Sequence, residues 1–131
     1  MARRHRRETR VGLLARDAIE KALAAEWAPA LAALYGELPG MEPPARGEEA
    51  RRRIERAEKW LLEHPSDPQL LAALGRLCAH AELWGKALNY LETSVSFEES
   101  RATHLELARL LDRLERGAEA QQHYRRAAEL P

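Results

Sequence analysis

LAALGRLCAHAELWGKALNYLETSV, at residues 71–95, sets the architecture of the chain, because its pattern recurs as HLELARLLDRLERGAEAQQHYRRAA at residues 104–128. Residue 71 corresponds to residue 104, a spacing of 33. Each copy places its apolar residues on two helical stripes separated by a turn. Such a helix pair has to stack on neighbouring pairs to bury its apolar face. The sequence therefore predicts an all-α fold of antiparallel helical hairpins stacked as a solenoid.

Small residues at matched positions indicate where the two helices of each hairpin meet. The matched packing positions are Leu74 with Leu107, Gly75 with Ala108, and Ala87 with Ala120. A small side chain lets two helix backbones approach closely. We expect these residues to pack the hairpins.

Composition favours one helical, non-catalytic domain. The 131 residues are 45% apolar, which is enough for a core without metals or disulfides, and the only cysteine, Cys78, is expected to be a buried structural thiol. Lys plus Arg (21) balances Asp plus Glu (21), so no overall field recruits nucleic acid or a membrane. The sequence has no nucleophile-base-acid order, phosphate loop or metal-ligand spacing. We expect neither an enzyme nor a metal site.

Charge and helix-breaking residues divide the chain. Residues 1–7 form an expected basic, flexible leader, and residues 8–131 form a single domain of about seven helices. We expect four units in this domain. Residues 8–26 are the second helix of a truncated repeat, and residues 27–66 are a degenerate repeat. Residues 67–99 and residues 100–131 are one repeat each. Pro29 predicts a helix break just before it, and residues 38–47 are predicted to be a loop.

Two further local predictions concern capping and exposure. Asp67 followed by Pro68 is typical of an N-cap with proline at the first helical position. The run Arg51, Arg52 and Arg53 is predicted to lie on a solvated helix face.

The Leu-Gly or Leu-Ala pair on one helix, facing an Ala on the next, resembles the tetratricopeptide repeat. The resemblance implies a right-handed solenoid whose first helices line a concave groove, with the residue after each pair pointing inward. Those residues are Arg76 and Arg109. The neighbours expected to share this partner-binding surface are Ala72, His80, Leu105, Asp112 and Arg113.

Two guanidinium groups in one groove would favour a protein partner that offers carboxylates, because arginine binds a carboxylate in bidentate fashion. The alternative is that Arg76 and Arg109 are ordinary surface arginines paired with Glu106 or Asp112. The sequence leaves both interpretations open.

A closer resemblance lies in the order of several segments. These are Glu26-Trp27, Leu34-Tyr35-Gly36, Ala57-Glu58-Lys59-Trp60-Leu61, His64-Pro65-Ser66-Asp67-Pro68, Leu74-Gly75-Arg76-Leu77-Cys78 and Leu83-Trp84-Gly85-Lys86-Ala87. Together they resemble the C-terminal half of the HemY proteins of Gram-negative bacteria, which are tetratricopeptide proteins of the inner membrane associated with haem biosynthesis.

The HemY resemblance implies a scaffold whose partners are haem-biosynthesis enzymes. It implies that the chain is a soluble fragment, with the repeats of full-length members on the cytoplasmic side and membrane contact only through an N-terminal part that this chain lacks. No cofactor is expected. Direct haem binding through His80, His104 or His123 is the alternative, as is an adaptor unrelated to haem.

Overall fold

The computed structural model describes the backbone of residues 2–39, 41 and 46–131 and the side chains of residues 10–39, 41 and 47–131. All regular structure in these residues is helical. The helices are α1 (Ala2–Ala25), α2 (Pro29–Tyr35), α3 (Arg46–Glu63), α4 (Pro68–His80), α5 (Trp84–Phe97), α6 (Arg101–Arg113) and α7 (Gly117–Glu129). The all-α prediction is therefore confirmed for the part of the chain that the structure describes.

The N-terminal helix is longer than its apolar pattern indicates. It begins at Ala2, so the backbone of residues 2–7 is helical and continuous with the rest of α1. Arginine is a good helix former, and a polar turn of helix carries no apolar periodicity from which its start could be read. The predicted break before Pro29 is present, whereas Gly40 and residues 42–45 of the predicted loop lie outside the described residues.

The 33-residue repeat is reproduced in the helix boundaries. Both ends of α4 recur 33 residues later as the ends of α6, and the start of α5 recurs as the start of α7. Each first helix closes with a residue at positive φ, Glu82 at 59° and Glu115 at 60°. In each turn the next N–H bonds back to a helical carbonyl, Leu83 to Cys78 and Arg116 to Leu111, both at 2.8 Å. The same Schellman-type closure therefore turns the chain in both copies.

The predicted packing residues are buried at the helix contacts. Gly75 is the tightest point, because a Cβ built there would lie 2.5 Å from both Cγ and Cδ2 of Leu91. Ala87 is fully buried on the same helix pair, and Ala108 and Ala120 are buried at the equivalent places in α6 and α7. Close backbone approach is therefore a property of both helix pairs.

Helix α4 lies at the centre of the molecule. It packs against α2, α3 and α5, whereas α6 packs against α5 and α7, and α1 packs against α2. The buried residues of α4 form an almost continuous run from Leu70 to Cys78. The described residues thus form a helical repeat-like fold in which α4 is covered on several sides.

The solvated face predicted for the three arginines is wrong for Arg53. Its side chain is fully buried, whereas Arg51 and Arg52 are exposed. Arg53 donates from Nε to Glu49 at 2.7 Å, and from its two terminal nitrogens to the carbonyls of Leu38 at 2.8 Å and Pro39 at 2.7 Å. The two carbonyl acceptors belong to the chain after α2. Helical periodicity within α3 contains no information about them, so it predicted an exposed side chain for Arg53.

The predicted cap at the start of α4 is confirmed. Asp67 accepts hydrogen bonds from the backbone N–H of Gln69 at 2.9 Å and of Leu70 at 3.2 Å. Its second oxygen accepts from Trp27 Nε1 at 2.9 Å, and the Trp27 ring stacks on His64 with centroids 4.0 Å apart. The cap therefore also ties the start of α4 to the chain between α1 and α2.

We expect Gly75→Ala to destabilise the protein by about 1 to 3 kcal/mol, because the added methyl group would collide with the buried Leu91 side chain. Gly85→Ala is the matched control: nothing lies within 4 Å of a Cβ built at this position, so it should be neutral or stabilise by up to about 1 kcal/mol. Urea denaturation followed by circular dichroism measures both. Equal effects of the two substitutions would contradict the close approach at Gly75.

We expect Arg53→Met to cost about 3 to 5 kcal/mol of folding stability, because it leaves a buried carboxylate short of a donor and two carbonyls unpaired. Arg52→Met, on the exposed neighbour, should change the free energy of unfolding by less than about 0.5 kcal/mol. Arg53→Lys should recover only part of the loss, since one ammonium cannot reach all three acceptors. Urea denaturation compares the three variants, and a small loss in Arg53→Met would refute the buried network.

Candidate partner-binding groove

A cavity of about 700 Å³ lies between α4 and α6 and reaches the start of α5 and the end of α2. We call it the central cavity. Its lining residues are Gly36, Glu37, Gly75, Arg76, Ala79, His80, Glu82, Trp84, Leu91, Glu106, Arg109, Leu110 and Arg113. Residues of α4 and α6 form its two long walls, and the ion pair between Arg76 and Glu106 joins these walls.

The structure brings part of the predicted groove together. Arg76, His80, Arg109 and Arg113 all line the central cavity. Ala72 is buried and lines a second, smaller cavity of about 260 Å³, which also touches Arg76.

The other two predicted groove residues lie elsewhere. Leu105 is half-buried and Asp112 is exposed, and neither lines either of these cavities. The Asp112 carboxylate instead accepts a hydrogen bond of 2.9 Å from the Tyr124 hydroxyl on α7.

Arg76 is already engaged within the protein. Its side chain is 15% exposed, and its Nε donates to Glu106 on α6. One terminal nitrogen donates to the carbonyl of Ala33 at 3.4 Å and lies 3.8 Å from a Glu37 oxygen. The pairing with Glu106 that the sequence left open is therefore what the structure shows for this arginine. Arg76 joins α2, α4 and α6 across the groove.

Arg109 differs from Arg76 although the repeat makes them equivalent. Arg109 is exposed, and no hydrogen bond or ion pair joins it to any residue that the structure describes. One turn further along α6, the Arg113 guanidinium lies 5.1 Å from the centre of the Trp84 ring. This cation–π contact orients Arg113 without neutralising it. Arg109 and Arg113 are thus the guanidinium groups of the cavity without a hydrogen bond or ion pair to a described residue, and the exposed carboxylates of Glu37 and Glu82 line the same cavity.

Glu106 contributes an unusual acceptor to the same wall. One of its oxygens binds Arg76, and the other, Oε2, is buried and has no hydrogen-bond partner among the described residues. Burial raises the pKa of Glu106, and the hydrogen bond and charge of Arg76 oppose that shift. A buried oxygen without a donor is costly, so this carboxylate lowers the stability that its ion pair with Arg76 contributes.

The predicted candidate haem ligands are separated in the structure. His80 lines the central cavity, whereas His104 on α6 and His123 on α7 contact each other with their Nδ1 atoms 2.9 Å apart. His104 Nε2 lies 3.3 Å from Glu99, whose carboxylate can only accept, so Nε2 carries the proton of neutral His104. His123 then donates to His104 between the two Nδ1 atoms.

The described residues contain neither a cluster of metal-binding side chains nor an accessible thiol. No group of three or more His, Cys, Asp or Glu side chains in that part of the chain is placed to hold a metal ion. Cys78 is fully buried, as expected, and its burial raises the pKa of the thiol to about 11. A reactive thiolate is therefore disfavoured at neutral pH.

Two residues that shape the cavity, Trp84 and Glu106, are not predicted by the repeat pattern. Trp84 stands out in the sequence only as part of a family signature, and its stacking with Arg113 joins residues from different repeats. The sequence presents Glu106 only as a partner that would neutralise an arginine. The sequence feature that could have indicated Glu106 is its spacing. Glu106, Arg109 and Arg113 follow helical periodicity, so they share one face of α6.

Comparisons with known proteins leave the family open. No protein-family model matches the sequence, and no curated protein matches it. Among the helices that the structure describes, none has the length and apolar character needed to cross a membrane.

We expect acid to destabilise the contact between α6 and α7. Burial, and secondarily the charge of His104, lower the pKa of His123 below its usual 6.5. The unfolded chain therefore takes up this proton at a higher pH than the folded one, so stability present above about pH 6.5 falls as the pH falls below it. Urea denaturation at several pH values measures this slope.

His123→Gln is the control for that slope, because it removes the titrating group. It should flatten the pH dependence between about pH 7.5 and about pH 5.5. Glu99 affects stability in a different, more acidic pH range. Hydrogen bonding and charge from Arg126, with a further hydrogen bond from His104, lower the pKa of its carboxyl to about 2. The stability that it contributes is lost only as the pH falls from about 4.5 toward that value. An unchanged slope in His123→Gln would refute the assignment to His123.

Proposed function

We propose that this chain is a non-catalytic protein-interaction module that holds a partner in the central cavity. The observation that carries the proposal is the pair Arg109 and Arg113, two cations on one face of α6 that have no carboxylate partner among the described residues. Among the described residues that line the cavity, none carries a hydroxyl or thiol nucleophile. A groove that presents two arginines and neither a hydroxyl nor a thiol nucleophile suits binding better than acyl transfer through a serine or cysteine.

We also propose that the helices stack as a right-handed solenoid of the tetratricopeptide type. The recurrence of helix boundaries, positive-φ turn residues and close-packed small residues at a spacing of 33 supports this arrangement. In such an array the first helices of successive hairpins share one surface. The central cavity, with walls from α4 and α6, fits that surface.

The resemblance to HemY proteins supports haem-biosynthesis enzymes as partners. The residues that carry it have defined places in this fold: the Trp27 ring stacks on His64 and donates to Asp67, and Trp84 holds Arg113 at the cavity. The proposed role is to gather enzymes of the haem pathway. An adaptor of the same construction that serves another pathway is the alternative.

Purified haem-biosynthesis enzymes, each titrated against the immobilised chain by biolayer interferometry, test this proposal. We expect Arg109→Glu/Arg113→Glu to weaken binding of a true partner at least about tenfold, because it replaces attraction by repulsion at both sites. Arg101→Glu/Arg125→Glu is the matched control, since it makes the same charge change at exposed arginines outside the cavity. Circular dichroism verifies that both variants fold.

Two results would count against the proposal. Equal weakening in both double variants would show that binding responds only to total charge. Absence of binding to every enzyme of the pathway would remove the haem assignment.

Direct tetrapyrrole binding is a second candidate because His80, Arg109 and Arg113 share the central cavity. A histidine could ligate iron and arginines could bind propionates. Titration with haemin should then give a saturable absorbance change that is lost in His80→Ala. A response that does not saturate would dismiss this candidate.

A further inference from the structure

We infer that one exposed side of α1 binds to the headgroups of an anionic lipid surface. This side carries the exposed residues Arg10, Val11, Leu14, Ala18 and Lys21, which we call the α1 surface. None of these residues lines the central cavity, so the inference goes beyond the proposed partner site. The contact is made by the chain itself, whereas the HemY resemblance implies membrane contact only through a part that this chain lacks.

The α1 surface has an apolar component that is separate from the core. The other side of α1 contributes Ile19 and Leu23 to the core, where both are buried. Val11 and Leu14, by contrast, are 54% and 64% exposed, and they are about one helical turn apart. Helix α1 therefore has a second apolar side that faces solvent.

Positive charge is concentrated at the start of the same helix. Residues 1–10 include five arginines and one glutamate, whereas residues 11–131 include 16 basic and 20 acidic residues. The backbone is helical from Ala2, and positions 4, 7, 11, 14 and 18 follow one another at intervals of three or four. These positions therefore share one side of the helix, and arginines occupy the first two of them.

The acidic residues on the described part of α1 are already engaged within the protein. Asp17 accepts a hydrogen bond of 3.0 Å from Arg16 Nε, and Glu20 accepts one of 2.7 Å from the Tyr35 hydroxyl. The two cations of the α1 surface have no hydrogen bond or ion pair to a described residue. The α1 surface is therefore positively charged as well as apolar.

A lipid surface matches both properties. Positions 4 to 21 span about 26 Å along the helix, and an anionic bilayer offers headgroup charge over that whole length with apolar chains beneath it. A nucleic acid would match the arginines but offers no apolar counterpart to Val11 and Leu14. A second copy of the α1 surface would bring further positive charge against it, which is unfavourable.

Co-sedimentation with large unilamellar vesicles tests the inference. One vesicle preparation contains equal amounts of phosphatidylcholine and phosphatidylglycerol, and the other contains phosphatidylcholine alone. We expect saturable binding that is at least about tenfold tighter to the mixed vesicles and that weakens as the salt concentration rises from about 0.05 to about 0.5 M.

Charge on α1 is tested with Arg7→Gln/Arg10→Gln. This double variant should weaken binding to the mixed vesicles at least about tenfold, because each cation near an anionic surface raises the affinity about fivefold. Arg101→Gln/Arg125→Gln is the matched control, since it removes the same charge from exposed positions on α6 and α7 and should have a much smaller effect.

The apolar component is tested with Val11→Ser/Leu14→Ser. We expect it to weaken binding to the mixed vesicles at least about fivefold, because the two side chains no longer gain from leaving water. Leu62→Ser/Phe97→Ser, at exposed apolar residues of α3 and α5, should leave binding unchanged. Circular dichroism verifies that all the variants fold.

A fluorescent label locates the contact. Cys78 is buried, so an environment-sensitive fluorophore can be attached selectively to Ala18→Cys. Its emission should shift to shorter wavelength when the mixed vesicles are added. The same label on Ala128→Cys, at an exposed position of α7, should show no shift.

Several outcomes would overturn the inference. These are equal binding to both vesicle preparations, equal loss in a variant and its matched control, no loss in Val11→Ser/Leu14→Ser, or equal emission shifts at the two labelled positions. Tighter binding of duplex DNA than of mixed vesicles through Arg7 and Arg10 would assign the surface to nucleic acid. A dimer in sedimentation equilibrium that Val11→Ser/Leu14→Ser abolishes would assign it to a second copy of the chain.

Discussion

The close approach of α4 and α5 at Gly75 governs how the repeats assemble. A Cβ at that position would overlap the Leu91 side chain, so the absence of a side chain at Gly75 lets the two helices meet as closely as they do. The equivalent contact between α6 and α7 uses Ala108. Each helix pair closes at a small residue, and the central cavity lies between α4 of the first pair and α6 of the second.

Ion pairs then divide the charge of that cavity unequally. Arg76 is held by Glu106 across the two repeats, and this bridge joins α4 to α6 while it removes one cation from the surface. Arg109 and Arg113 are not neutralised in this way within the described residues. The same cavity therefore contains a structural arginine on α4 and two arginines on α6 without such a partner, although the residue types are identical.

A similar difference between neighbouring arginines occurs in α3. Arg53 is buried and satisfies two carbonyls that follow α2, whereas its neighbours Arg51 and Arg52 face solvent. The network continues through Glu49 to Arg16 on α1. Charged residues here join separate helices, and their role follows from what the folded chain places around them.

Features that depend on neighbouring residues are readable from the amino-acid sequence alone: helical periodicity, the Asp67 cap and the 33-residue spacing of small residues and turns. The periodicity and the cap rest on contacts within a few residues, and the 33-residue spacing repeats a local pattern along the chain, so the sequence shows all three directly. Which arginines are buried, paired or available depends on the folded chain, because their partners lie far away in sequence; Glu106 is 30 residues from Arg76, and Ala33 is 43 residues from it. The repeat predicts Arg76 and Arg109 as equals, and the fold separates them because only Arg76 has α2 and α6 on either side.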